Sequence, residues 1–311
     1  MPTTPPPKSP ACRRRVSPTR RGVLLATLGL LGGAVRAQTP APVDVVDEET
    51  DTPYVPTPRS VVERMLEIAG VGPSDYLIDL GSGDGRIVLT AATKFGARGH
   101  GIDIDPRLVR RSQEAARKLG VADRAQFRVE DIFEADFSRA TVISAYLLPK
   151  VMQLLTPKLA NLAPGTRIVS HDYPLAAEWR PDFSIRMFVP DKPVGRDKHS
   201  TLMLWTVPAR VAGAWRFDLP GQAASAGRVE LRIEQNHQVL KGTATLDGQP
   251  VDVLGLRVDG DRLRFALEPV GGGVRLHHAF DGRVRGDRAS GNVVLDGEPQ
   301  AAARPWQASR G

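Results

Sequence analysis

The sequence predicts an α/β fold, a doubly wound and mostly parallel sheet, followed by a small antiparallel all-β domain. Three observations carry this. Segments with strand and helix periods alternate from about Ser60 to Val207. A glycine-rich turn joins the first strand to the helix after it. Beyond Pro208 the helical periods stop, and apolar residues alternate with charged ones.

The elements follow in order. Val61, Val62, Met65, Leu66, Ile68 and Ala69 recur at helical spacing, with Ser60 as N-cap and Gly70 just past the end. Tyr76 to Leu80 is a short apolar run that reads as a buried strand, and Arg86 to Phe95 as a helix. Gly99–Asp103, Ala125–Val129, Ala140–Ala145 and Arg167–Ser170 supply four further strands. Leu108–Leu119 is an amphipathic helix between the second and third, and Val151–Leu162 a helix kinked at Pro157. Strands at 184–189 and 201–207 complete the sheet. In the C-terminal region, Val229, Leu231 and Ile233 alternate with charges, as do Leu263, Phe265 and Leu267. Asp-Gly pairs at 247–248, 259–260, 281–282 and 296–297 read as hairpin turns. The result is a barrel or sandwich of about six or more strands.

The N-terminus reads as an address. Thr19-Arg20-Arg21-Gly22-Val23-Leu24 resembles the twin-arginine export motif, and Gly22 to Val35 are uncharged and mostly apolar. Val35-Arg36-Ala37 presents small residues where a signal peptidase reads, placing cleavage after Ala37. Residues 1–37 are therefore expected to be a signal peptide, which directs the protein to the bacterial periplasm and leaves no stable membrane span. A misassigned start would leave the protein in the cytoplasm. Residues 38–58 hold five prolines and an acidic cluster and read as a linker. The catalytic domain is then 59–208 and the β domain 209–311.

Composition narrows the partners. The net charge of +7 arises from seven basic residues and no acid in positions 1–37, and the other 274 residues hold 35 bases and 35 acids. A broad nucleic-acid footprint is not expected from so balanced a body. The only cysteine, Cys12, precedes the apolar segment, so the processed chain has neither disulfides nor a thiolate nucleophile. His277-His278 fails as a metal pair, since neighbours on a strand face opposite ways. Oligomeric state has no signature here.

The chemistry lies in Asp79-Leu80-Gly81-Ser82-Gly83-Asp84-Gly85-Arg86, which follows a strand and opens a helix. Glycines at 81, 83 and 85 allow a tight turn, and the helix start behind them favours ligand contact at the strand ends. A dinucleotide loop needs glycine at 86; Arg86 moves the reading toward a ligand without pyrophosphate and against a dinucleotide oxidoreductase. Asp103 ends the second strand, where its carboxylate suits a ribose cis-diol. Asp131 follows the third strand beside the adenine position, with the Ile132 N–H completing that contact.

This ordered set, D-L-G-S-G-D-G with an acid at each of the next two strand ends, resembles the class I S-adenosylmethionine-dependent methyltransferases. Pro53-Tyr54-Val55-Pro56-Thr57-Pro58, Tyr146-Leu147-Leu148-Pro149 and Ser170-His171-Asp172 extend the resemblance to bacterial relatives of the seven-strand protein-lysine methyltransferases of mitochondrial inner-membrane proteins. It covers about residues 53–190 and leaves out the β domain. It implies S-adenosyl-L-methionine as cofactor, a methyl acceptor in the form of a protein, and in-line displacement at the methyl carbon. By the same resemblance Asp79 meets the cofactor's amino group, Thr57 its carboxylate, and Tyr54, Tyr146, His171 and Asp172 surround the methyl group. The rival expectation is an exported binding module that keeps the fold and a nucleoside pocket but transfers nothing.

Overall fold

The computed structural model describes residues 54–195, 197–219, 227–271, 274–295 and 303–311. The export-like segment, most of the linker and the Asp296-Gly297 pair lie outside them. The first domain runs α1 (Arg59–Ile68), β1 (Tyr76–Leu80), α2 (Arg86–Lys94), β2 (Arg98–Asp103), α3 (Pro106–Lys118), β3 (Ala125–Val129), β4 (Val142–Ala145), α4 (Pro149–Leu159), β5 (Arg167–His171), β6 (Phe183–Phe188) and β7 (His199–Thr206). The strands form one seven-stranded sheet in the order β3-β2-β1-β4-β5-β7-β6. β1 to β5 are parallel, while β7 inserts antiparallel between β5 and β6. The order reverses between β1 and β4, which opens a crevice at the C-terminal strand ends.

Local sequence explains the elements. α1 buries Val61, Val62, Met65 and Leu66, and Gly70 at φ 58° ends it. The residue at its N-cap is Pro58, not Ser60, because proline's fixed φ starts the helix two positions earlier. Pro106 and Pro149 likewise open α3 and α4, and the Asp105 carboxylate caps α3 by accepting from Arg107 N at 2.7 Å. Helices α1, α2 and α3 pack on one face of the sheet. The other face is covered by α4 together with irregular segments that bury Ala135, Phe137, Leu175 and Trp179.

The C-terminal domain contains β8 (Gly213–Leu219), β9 (Gly227–Asn236), β10 (Val239–Leu246), β11 (Gln249–Asp259), β12 (Arg262–Glu268), the short β13 (Val270–Gly271) and β14 (Val274–Arg275), β15 (His278–Arg285), β16 (Arg288–Val294) and β17 (Arg304–Arg310). Eight of these close into an antiparallel barrel as β17 pairs with β8. Phe217, Phe265, Phe280 and Trp306 meet inside it at 4.6–6.1 Å between ring centres, so side chains fill the interior. Asp247-Gly248 is a turn, as its spacing predicts, whereas Asp259 still belongs to β11 and pairs with Arg262, which moves that turn one residue on, to Gly260-Asp261. Asp281-Gly282 is not: it lies within β15, where a side chain on Gly282 would strike Trp306 at 2.7 Å. The turn that follows is at Gly286, φ 60°.

The barrel joins the sheet at the N-terminal ends of the parallel strands. β7 runs back along β5 until Thr206 pairs with Arg167, and Ala209 N then donates to Gly260 O at 2.7 Å. His237 stacks on Trp179 at 4.7 Å, and Gln238 donates to Arg180 O at 2.6 Å.

Candidate active site

The sequence-predicted residues gather at the opposite ends of those strands. β1 delivers Asp79, and the turn beyond it carries Gly81, Gly83 and Gly85 at φ 70°, 54° and 79°. The physical reason for two of the glycines differs from ligand approach alone. A β carbon on Gly83 would collide with the ring of Tyr54, and one on Gly81 would meet Leu147 at 2.7 Å. The segment before α1 thus lies across the loop. Arg86 fastens it: its guanidinium grips Asp84 through two nitrogens at 2.7 and 2.8 Å and donates to Thr57 O at 2.6 Å. Burial works to raise the Asp84 carboxyl, but the Arg86 fork outweighs it and holds the group low. Burial and then Asp84 raise the Tyr54 phenol.

Asp103 stands half-buried at the end of β2. One carboxylate oxygen accepts from Gly83 N at 2.7 Å and the other from Asp105 N at 2.9 Å. Both oxygens are therefore fixed in direction, and each keeps lone-pair capacity for a hydroxyl. Asp131 is exposed beyond β3, accepting from Phe133 N at 2.8 Å, and the Ile132 N–H beside it donates to no described residue. Asp79 is buried and accepts one side-chain bond, from Ser144 at 2.7 Å. Burial, with help from Asp103 and Asp84, pushes its carboxyl up to about 7. A buried carboxyl with spare acceptor capacity and an amide without a partner suit a ligand that brings a cation and a base edge, as S-adenosylmethionine does.

The acceptor side is a network that is only partly visible in sequence. Tyr146 follows β4, half-buried, and its ring lies 4.1 Å from the His171 ring and 6.1 Å from that of Tyr173. Burial and then Asp172 push the Tyr146 phenol up to about 12. His171 is 1% exposed, so it lies behind Tyr146 and does not line the opening. Its Nε2 is hydrogen-bonded to Ser200 at 2.8 Å, and its Nδ1 is 3.5 Å from the Thr57 hydroxyl. Thr57 is itself buried and faces this ring. Burial pulls His171 down to about 4; Asp172 opposes that and Lys192 adds to it.

Asp172 has φ 61°, and Tyr173 N donates back to His171 O across it at 2.8 Å, a tight γ-turn that strains a non-glycine residue. The turn is held from β7: Asp172 N donates to Thr201 O, and its carboxylate accepts from Thr201 N at 2.9 Å and pairs with Lys192 Nζ at 2.7 Å. Sequence reasoning missed Tyr173, Lys192 and Ser200. Tyr173 adjoins the quoted Ser170-His171-Asp172 string, but no local signal marks the other two. They reach the site because β7 inserts beside β5.

Comparison with known proteins identifies the family. The family model of the ANTKMT methyltransferase domain matches residues 79–183. A protein-lysine N-methyltransferase of Saccharolobus islandicus is 44% identical over 137 residues, 43% of this chain and 84% of that protein. An adenine nucleotide translocase lysine N-methyltransferase of Mus musculus is 37% identical over 131 residues, 42% of this chain and 56% of its own length. Among solved structures, an RNA methyltransferase of Salinibacter ruber in complex with S-adenosyl-L-homocysteine is 49% identical, with a TM-score of 0.45, covering 50% of this chain and 96% of that one. The chain belongs to the class I S-adenosylmethionine-dependent methyltransferases, in the family these lysine N-methyltransferases share. It is accordingly a methyl-transferring enzyme that uses S-adenosylmethionine.

Proposed function

We propose that the enzyme transfers a methyl group to a lysine side chain of a protein. The observation that carries the acceptor is the 44% identity to a protein-lysine N-methyltransferase across most of that relative's length. The arrangement of the site supports it. In this reading Asp103 receives the ribose hydroxyls, Asp79 faces the methionine amino group, and Asp131 with Ile132 N–H meets the adenine. The loop at Gly81, Gly83 and Gly85 lies along the ligand, and Thr57 belongs to the strap over it.

S-adenosylmethionine supplies a methyl carbon already activated by a positive sulfur. What remains for the protein is alignment and a neutral amine. A lysine enters as an ammonium without a lone pair, and partial burial of its amine beside the half-buried Tyr146 favours its neutral form. Neither phenol is acidic enough to act as an ionised base near neutral pH, so both serve as hydrogen-bond acceptors that orient the amine. His171 and Asp172 act as positioning residues. The first is buried under Tyr146, and the second commits its carboxylate to Thr201 and Lys192.

Export by the twin-arginine route, with cleavage after Ala37, is part of the same proposal and rests on the basic and apolar run before residue 37. One experiment serves both parts. The protein purified from its host is given S-adenosylmethionine with a labelled methyl group and lysine-containing proteins, and products and enzyme are read by mass spectrometry. Label on lysine nitrogen is the expected outcome; label elsewhere, or none, overturns the acceptor. An enzyme beginning at Gln38 supports export, and one that retains residues 1–37 refutes it.

A further inference from the structure

The outer face of the barrel carries a feature that its stability does not require. Strands β11, β12, β15 and β16 line a groove of about 1060 Å³ whose described walls hold Arg257, Arg262, Arg264, Arg283 and Arg285 against one acid, Asp281. These arginines alternate with the buried Val258, Leu263, Phe265 and Val284, so they point outward. The register sets them against one another: Arg257 is opposite Arg264, Arg262 opposite Arg283, and Arg285 opposite Arg288. Like charges directly across a strand pair weaken a sheet. Three such pairs in one patch, within a body of balanced charge, point to an anionic ligand.

The groove already shows how it holds a carboxylate. Arg262 grips Asp281 with two nitrogens, Arg264 approaches the same group at 3.4 Å, and Arg283 donates to Asp261 at 2.6 Å. Arg257 and Arg285 have no partner among the described residues. Phe265 and Phe280 of the described lining are 4% and 3% exposed, and the exposed His277 ring is paired with Glu268 at 3.2 Å, so no phenyl ring there is open to stack on a base. The concave shape also suits a chain segment better than a flat bilayer.

We propose that this arginine ladder docks an acidic, carboxylate-rich segment of the methyl-acceptor protein, a reading that rests on the acceptor being a protein. The groove is lined on both sides of the Gly260 turn, by Arg257 before it and Arg262 after it, and Gly260 lies against Gly165 at the N-terminal edge of the sheet. The active site is at the other edge, beyond strands that span about 17 Å. The segment gripped by the barrel is therefore remote from the lysine that is methylated, and the barrel acts on acceptor affinity more than on the chemical step.

The test uses the whole protein and a fluorescein-labelled peptide of alternating glutamate and glycine, with binding followed by anisotropy at low and high salt. Wild type should bind at low salt and release at high salt. The double variant Arg257→Ser/Arg285→Ser should bind about tenfold more weakly. Its melting temperature should not fall, because the substitutions relieve like-charge pairs. Arg228→Ser/Arg232→Ser on β9 should bind as wild type does. Absence of peptide binding at low salt, equal loss in the β9 variant, or capture of an oligonucleotide or anionic vesicles in place of the peptide would each overturn the proposal. The binding measurement needs no methyl transfer. Intact binding without lysine methylation therefore counts against the acceptor reading, and lost binding with intact methylation counts against the groove.

Discussion

The two edges of the seven-stranded sheet, at the N- and C-terminal ends of its parallel strands, are built on different principles. At the N-terminal edge the polar groups mostly close on one another, Trp179 Nε1 and Gln238 Oε1 excepted: Asp75 accepts from Gly72 N and Thr141 and pairs with Arg167, which also donates to the carbonyls of Ala69 and Gly70. Thr141 in turn accepts from Tyr76 N, and Trp205 donates to Trp179 O. At the C-terminal edge polar groups are left with capacity to spare, as at Asp79, Asp103 and the Ile132 N–H. Of the non-glycine residues at positive φ, Asp172 lies at this edge, while His237 lies at the barrel junction and Asp247 in a barrel hairpin. The satisfied edge holds the fold and supports the barrel. The spare capacity at the second edge is what a bound ligand would satisfy.

Substitution at each edge should separate stability from affinity. The largest effect is expected from Asp75→Ala, which takes a buried carboxylate away from Gly72 N, Thr141 and Arg167 and leaves Arg167 only its two carbonyl acceptors. Unfolding free energy should fall by about 3 kcal/mol in denaturant titration, with cofactor affinity unchanged in the folded protein. Loss of affinity in step with stability would show that the two edges are not independent.

Asp103→Ala should reverse that pattern. The ribose acceptor is lost while the sheet keeps its packing, so cofactor affinity should drop roughly 10- to 150-fold, worth about 1.5–3 kcal/mol, by calorimetry. The melting temperature of the ligand-free protein should fall less than in Asp75→Ala, by the loss of the acceptor that Gly83 N and Asp105 N share. An unchanged dissociation constant would remove Asp103 from the binding site.

How much of this contrast was legible follows from which interactions are local. β1 and β3 fall on the predicted residues, and the glycine loop with Asp79, Asp103 and Asp131 lies at successive strand ends, because burial patterns and turn chemistry are written in adjacent positions. The Pro58 helix start was hidden by a more conventional cap two residues later. Asp281-Gly282 misled because the glycine makes room for Trp306, a partner 24 positions away. The hold of Lys192 and Ser200 on Asp172 and His171 was invisible for the same reason: only the antiparallel insertion of β7 brings them together. Local spacing marked the residues proposed for the cofactor and left most of those proposed for the acceptor to tertiary structure.

The subtlest difference between the edges concerns protons, and Asp79 isolates it. Its carboxyl, raised from 3.8 to about 7 by burial, is neutral in the folded, ligand-free protein below neutrality. A raised acid favours the protonated fold, so the stability it lends is present in acid and is lost as pH rises from about 4 toward 7. Cofactor binding should run the other way, because the cationic amino group of the ligand requires the ionised carboxylate. Below pH 7 each unit of acidification should weaken binding by up to about tenfold, and above 7 the affinity should level off. Tyr146, at about 12, and His171, at about 4, titrate outside this window, so they leave the slope to Asp79. Asp79→Asn, which keeps the shape and the Ser144 contact, should flatten the profile at reduced affinity. Calorimetry with S-adenosyl-L-homocysteine, which retains the amino group but lacks the sulfonium charge, reads the effect without turnover. A wild-type profile already flat from acidic to neutral pH would place the amino group away from Asp79. The spare acceptor capacity at the end of β1 would then have to serve some other donor.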